Sequence, residues 1–261
     1  MFAASLVACG HGAEPTAPVP TPPAAQLKEI LVPNLPSPYY HFEYDAAGRI
    51  RLASFASGFF VYDVTYANGR IAQMTNNALG NTDRLVYSYD PAGRVDEVSY
   101  VRPDGQLGGR VSLSYAGQQL TSIAWTRRLG SDLVPSKTMS FSYYSDGNLL
   151  EIVEHRPAIE GLQGETTRID RFEQYDDGIN VDAFSLIHND FFDHLFLLPA
   201  VRLQKGNPGR ETLTGDGENY RVDYTYTYDA DHRPLTKIGA LVITNGTDAG
   251  RQFQTQSVFT Y

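Results

Sequence analysis

The segment His188-Asn189-Asp190-Phe191-Phe192-Asp193-His194 gathers two histidines and two aspartates, side chains that bind divalent metals. Asp190 and His194 stand one helical turn apart, so both could reach one ion from one face. His188 and His194 point to different sides, which does not match the usual ligand spacings, and the favoured reading is the solvated face of a docked helix. Thr214-Gly215-Asp216-Gly217-Glu218-Asn219 carries calcium-type oxygens but lacks the alternating aspartates and closing glutamate of a calcium loop. Its glycines make it a hairpin loop. Glu151 and Glu154 fall on opposite faces of one strand, so they cannot act together on a glycosidic bond. A carboxylate pair drawn from different strands stays open. Tyr100, Trp125 and Tyr144 offer faces for stacking on sugars, against the commoner alternative of cross-strand packing. There is no nucleophile elbow, zinc helix motif, phosphate loop or dinucleotide fingerprint. The sequence therefore assigns no catalytic residue, no cofactor and no metal site.

One further residue has assignable chemistry. Met1 to Cys9 reads as the tail of an apolar export signal, and Leu6-Val7-Ala8-Cys9 matches the pattern cleaved to leave a lipidated cysteine. The stretch after it, to residue 38, is rich in Pro and Ala at first and then broken by Pro33, Pro36 and Pro38. It reads as an extended tether and a mixed lead-in holding at most an edge strand. Signal end, cysteine, tether and globular part are the order of a lipid-anchored envelope protein, with Cys9 as the attachment site. Cys9 is the lone cysteine, so no disulfide forms within the chain.

Composition narrows the partners. A net charge of −9 with scattered Lys and Arg argues against a nucleic-acid surface and against attraction to anionic lipid. Seventeen Tyr and 13 Phe favour strands.

The elements that position everything else come from a repeat. Tyr44-Asp45-Ala46-Ala47-Gly48-Arg49-Ile50 returns as Tyr89-Asp90-Pro91-Ala92-Gly93-Arg94-Val95 and, less cleanly, from Tyr228 to Leu235. Weaker copies start at Tyr66, Tyr115, Tyr144 and Tyr175. The copies at Tyr66 and Tyr115 lack the Asp, those at Tyr115 and Tyr144 lack the Arg, and His232 replaces the Gly of the last turn. Each copy predicts a hairpin turn. The Asp caps backbone amides two residues on, and the Gly supplies the positive φ at which the strand resumes, often with a bulge. Alternation on either side predicts strands with one apolar and one small or polar face, as in Met139, Phe141 and Tyr143 against Ser140 and Ser142.

One segment changes period. In the insertion at about residues 181–209, Phe184, Ile187, Phe191, Leu195 and Leu198 recur at spacings of three and four, which predicts a short amphipathic helix. The fold class is thus all-β: an antiparallel up-and-down meander of about 12–14 strands over residues 39–261. So many strands curl strongly or close into a barrel, with the helical insertion on the concave side.

The clean copies resemble the tyrosine-aspartate repeat of RHS-type proteins. The whole arrangement from about Tyr39 to Tyr261 is similar to a family of uncharacterised bacterial envelope lipoproteins with a porin-like fold. That family also carries a Tyr-Asp-Asp…Asn segment before its insertion, here Tyr175-Asp176-Asp177-Gly178-Ile179-Asn180. The resemblance implies fold and an outer-membrane or envelope address, and no activity. Three functions follow as expectations: a non-enzymatic, membrane-anchored binding or structural barrel with a glycan or protein partner, an outer-membrane channel, or an envelope glycan-active enzyme.

Overall fold

A computed structural model describes residues 26–33, 35–78, 82–187, 197–199 and 201–261. The described residues form sixteen strands and one short 3-10 helix, Ala183–Leu186. The strands are β1 (Glu29–Leu31), β2 (Tyr40–Tyr44), β3 (Ile50–Phe55), β4 (Phe60–Ala67), β5 (Arg70–Asn76), β6 (Arg84–Tyr89), β7 (Val95–Val101) and β8 (Leu107–Ala116). They continue as β9 (Gln119–Leu129), β10 (Asp132–Tyr143), β11 (Leu149–Arg156), β12 (Thr166–Tyr175), β13 (Pro208–Gly215), β14 (Tyr220–Tyr228), β15 (Pro234–Ile243) and β16 (Gln252–Thr260). Every strand pairs antiparallel with its neighbour in sequence, and β1 closes the barrel against β16.

The expected all-β meander is therefore present and closed, with more strands than the 12–14 expected. The two that sequence reading missed are β1 and β13. Glu29–Leu31 is no edge strand: Ile30 pairs with Phe259 on one side and Tyr40 on the other. Three residues among prolines carry no readable alternation, and their partner lies at the far end of the chain. β13 was hidden because the insertion was read through to Gly209, although Arg210–Gly215 already pairs with β12.

Alternation decides the two faces. On β4 the side chains of Tyr62 and Val64 are buried while Asp63 and Thr65 are exposed. On β8 Val111 and Leu113 are buried against exposed Arg110, Ser112 and Ser114. On β10 Met139 and Phe141 are buried against exposed Thr138, Ser140 and Ser142. The register links the buried set into inward rows, such as Val98–Val111–Trp125 and Leu113–Ile123–Met139. The interior from β2 to β11 is thus a packed apolar core, and the outer wall carries hydroxyls and ion pairs such as Arg210–Asp223 at 2.6 Å. Tyr100 and Trp125, read as faces for sugar stacking or, more commonly, for cross-strand packing, are buried inward residues, 8% and 4% exposed. The Tyr144 hydroxyl is taken by the Phe172 carbonyl at 3.1 Å.

The insertion enters this interior. Phe184 stands edge-on to Tyr40 and Phe42, with ring centroids 5.3 and 5.4 Å apart, and Ile187 and Leu197 are buried in the same core. Helix among the described residues is limited to the one turn at Ala183–Leu186. The part of the predicted helix that holds Phe191 and Leu195 lies outside the described residues. The return limb is extended and hydrogen-bonded to the turns it passes. Asn148 Oδ1 accepts the Lys205 and Gly206 amides at 2.8 and 3.0 Å, and Asp176 Oδ1 accepts the Asn207 amide at 2.9 Å. Asn180 Nδ2 donates to Gln204 Oε1 at 3.1 Å. Side-chain partners of this kind, rather than a helix ladder, satisfy the buried Gln204 and Asn207.

Candidate functional site

The repeat builds one rim of the barrel. Asp45 Oδ1 accepts the amides of Ala47 and Arg49, both at 2.9 Å, while Oδ2 holds the Arg49 guanidinium at 2.7 Å. The Arg49 amide, foremost, holds the Asp45 carboxyl below its ordinary range. Gly48 and Gly93 take φ of 76° and 85°, as the turn requires. In the hairpins ending at Tyr44, Tyr66, Tyr89, Tyr115 and Tyr143 the register shifts at the tyrosine itself. That bulge swings the ring sideways onto the preceding hairpin. Tyr66, Tyr89 and Tyr115 donate to the carbonyls of Ile50, Ile71 and Val95 at 2.9, 2.7 and 2.8 Å. Tyr143, Tyr175 and Tyr261 do the same to Leu120, Leu149 and Pro234. Above the rings lie the repeat arginines, with Arg49 over Tyr66 at 4.6 Å and Arg94 over Tyr115 at 4.7 Å. In the fifth hairpin the rung is Tyr143, one residue before the tyrosine that the sequence singles out. In the penultimate hairpin it is Tyr226, bonded to Pro208, because Tyr228 is committed to Asp176.

Two cavities open from this frame. The larger, about 550 Å³, lies at the tyrosine rim beneath the first three hairpin turns. Leu27, Ile50, Ile71, Val95, Phe184 and Leu198 make its apolar wall, and Arg49 and Arg70 stand among its polar lining. The smaller, about 180 Å³, lies inside the barrel against β10–β14, where inward positions turn from apolar to charged. Its walls are Met139, Ile152, Leu213 and Leu186 of the insertion, with Glu154, Arg168, Asp170 and Tyr220.

The register places these charges. Asp170 faces inward between Ile152 and Leu213, and Glu211 lies between Phe172 and Val222. Glu211 accepts hydroxyls from Tyr220 at 3.0 Å and Tyr224 at 2.7 Å. Glu154 accepts the Arg156 Nε at 2.7 Å, with Lys137 3.8 Å away. Asp170 Oδ1 and Arg168 Nε are buried without a hydrogen-bond partner. Burial first, and then the Glu211 charge, push the Asp170 carboxyl up to about 9, so it carries its proton at neutral pH. The chamber can hold a proton and a small polar molecule.

The sequence-singled residues scatter. Cys9 and the cluster from His188 to His194 lie outside the described residues. Among the described residues no group of three or more His, Asp or Glu is placed to hold a metal ion. Of the segment Thr214–Asn219, Thr214 and Gly215 end β13 and residues 216–219 form the hairpin loop, with Asp216 Oδ2 accepting the Thr167 amide at 2.8 Å. Glu151 pairs across from Arg171 while Glu154 faces the chamber, so the two glutamates do lie on opposite faces. Asp170, Arg168 and Glu211 were missed. A visible signal existed, since charged residues occupy alternate positions on β12 and β13, but which parity faces inward is read only once their pairing with Ile152, Leu213 and Val222 is known.

No protein-family model and no curated protein matches the chain. Among solved structures, the chain is similar to a porin-like protein from Bacteroides vulgatus, with 16% identity and a TM-score of 0.59 over 91% of this chain and 99% of that one. A porin-like protein from Bacteroides uniformis matches with 12% identity and a TM-score of 0.58, over 85% of this chain and 88% of the other. At these identities the likeness is one of fold: this chain has the all-β, closed, porin-like barrel.

Proposed function

We propose that the chain is a non-enzymatic barrel of the bacterial cell envelope, held to the membrane by a lipid on Cys9, that stands in water and binds a partner. One observation carries the water-facing part: the outward positions of β4, β8 and β10 are chiefly Asp, Thr, Ser and Arg, and the inward ones are chiefly apolar, with Lys137 buried among them. A barrel in lipid needs the reverse, an apolar outer band roughly 25 Å tall around a polar lumen. The anchor and the address rest on Leu6-Val7-Ala8-Cys9 and the tether after it. The binding role rests on two cavities that open from a rigid, heavily hydrogen-bonded frame.

The test is direct. The chain with Cys9→Ser should purify from the soluble fraction without detergent and give no conductance in planar bilayers. The same chain behind an intact export signal and with Cys9 retained should partition into detergent. A Cys9→Ser protein that needs detergent and conducts ions would favour the outer-membrane channel, which the closed sheet of strands also accommodates.

A further inference from the structure

We infer that the rim cavity binds a long-chain carboxylate, with the acyl chain in the apolar pocket and Arg70 pairing the head group. The inference rests on the water-facing reading and gives its binding role a ligand class.

The starting point is a broken copy of the repeat. Three repeat arginines are neutralised by the aspartate four residues earlier: Arg49 by Asp45 at 2.7 Å, Arg94 by Asp90 at 2.6 Å and Arg233 by Asp229 at 2.7 Å. The second copy, Tyr66-Ala67-Asn68-Gly69-Arg70, keeps the arginine and has no aspartate. Arg70 forms no ion pair among the described residues. It lies over the Tyr89 ring, 5.3 Å from the centroid, and is packed against Gly93, where an added Cβ would come within 2.6 Å of Nη2. The guanidinium is therefore held in place by an aromatic face and a glycine, not by a counter-charge.

Its position gives that charge a use. Arg70 is solvent-exposed and lines the 550 Å³ cavity together with Ile50, Ile71, Val95, Phe184 and Leu198. That volume falls within the roughly 300–1,000 Å³ of pockets that enclose small ligands. A planar cation with unused donors at the edge of an apolar pocket matches a carboxylate in geometry and charge. The apolar wall behind it matches an alkyl chain. A single unneutralised cation fits a monoanionic head group, and a cavity of about 550 Å³ has room for one acyl chain, so the occupant is a free fatty acid rather than a two-chain membrane phospholipid.

Calorimetric titration of the Cys9→Ser chain with laurate, below its micelle concentration, should give one site per chain. Dodecanol, of equal chain length and no charge, should bind at least tenfold more weakly. Arg70→Gln should bring laurate down to the dodecanol level and leave the thermal midpoint unchanged. Ala67→Asp keeps Arg70 and offers it a carboxylate, and should also weaken laurate by about tenfold. The inference is overturned if laurate and dodecanol bind alike, or if Arg70→Gln and Ala67→Asp leave laurate binding unchanged. Binding to phosphatidylglycerol vesicles without binding to free laurate overturns it too. So does no binding at all. Detergent dependence tests the water-facing reading, and the contrast between laurate and dodecanol tests the ligand, so the two fail separately.

Discussion

The Tyr66 hydroxyl donates to the Ile50 carbonyl at 2.9 Å, joining the second hairpin to the first along the rim. Tyr89 makes the same bond to Ile71 and Tyr115 to Val95, so one side chain per repeat links each hairpin to the one before. At the barrel's closing end Tyr44 bonds the Leu27 carbonyl and Tyr261 bonds that of Pro234. The repeat is thus more than a run of turns, because its tyrosine is a long-range contact written in a local motif.

Tyr66→Phe should cost about 1 kcal/mol in urea unfolding, the net worth of one hydrogen bond, because the ring packing survives. Tyr226→Phe should cost about the same. An unchanged midpoint in both would mean that water replaces these bonds without loss.

Gly93→Val should destabilise by about 1–2 kcal/mol, since a β-branched residue is strained at φ 85°. Gly105 has nearly the same φ, 81°, with nothing within 4 Å of its added Cβ. Gly105→Val measures the backbone term alone, and any excess at Gly93 reports the displacement of Arg70. Equal losses would show that Arg70 moves aside freely.

Asp170 should make stability fall as pH rises. Its carboxyl is raised to about 9 in the fold by burial and by Glu211. Between about pH 4, its ordinary range, and pH 9 the folded state therefore binds more protons than the unfolded chain. The favourable contribution is complete below pH 4 and is lost progressively as pH climbs through that window. Asp170→Asn should flatten the slope of unfolding free energy between pH 5 and pH 8. At pH 8 it should raise stability by roughly 1–3 kcal/mol, the scale of a buried group that lacks a partner. A variant that keeps the wild-type slope would place the titration elsewhere.

Phe184→Ala should cost roughly 2–3 kcal/mol, below the 3–5 of a fully enclosed phenylalanine, because the ring is only partly buried against Tyr40 and Phe42. Phe59→Ala, at a ring 72% exposed, should stay within about 0.5 kcal/mol. If the two variants melt together, the insertion does not brace the barrel wall.

Interactions within a few residues of chain were legible in the sequence. Asp45, Gly48 and Arg49 define a turn by themselves, because cap, positive φ and ion pair all close over five residues. Strands on either side followed from alternation, as in Met139 and Phe141 against Ser140 and Ser142 on β10. The missing aspartate beside Arg70 was equally visible, but not its meaning, which depends on Tyr89, on Gly93 and on a cavity assembled from three hairpins. Closure through Ile30 and Phe259 joins segments at opposite ends of the chain, and no local pattern encodes it. Asp170 looks like any strand aspartate until its pairing with Ile152 and Leu213 fixes which way it faces. Local hydrogen bonding and φ preference set the turns and strands. Tertiary structure alone decided closure, the filled interior and the environment of each charge, because those depend on register and on partners distant in sequence.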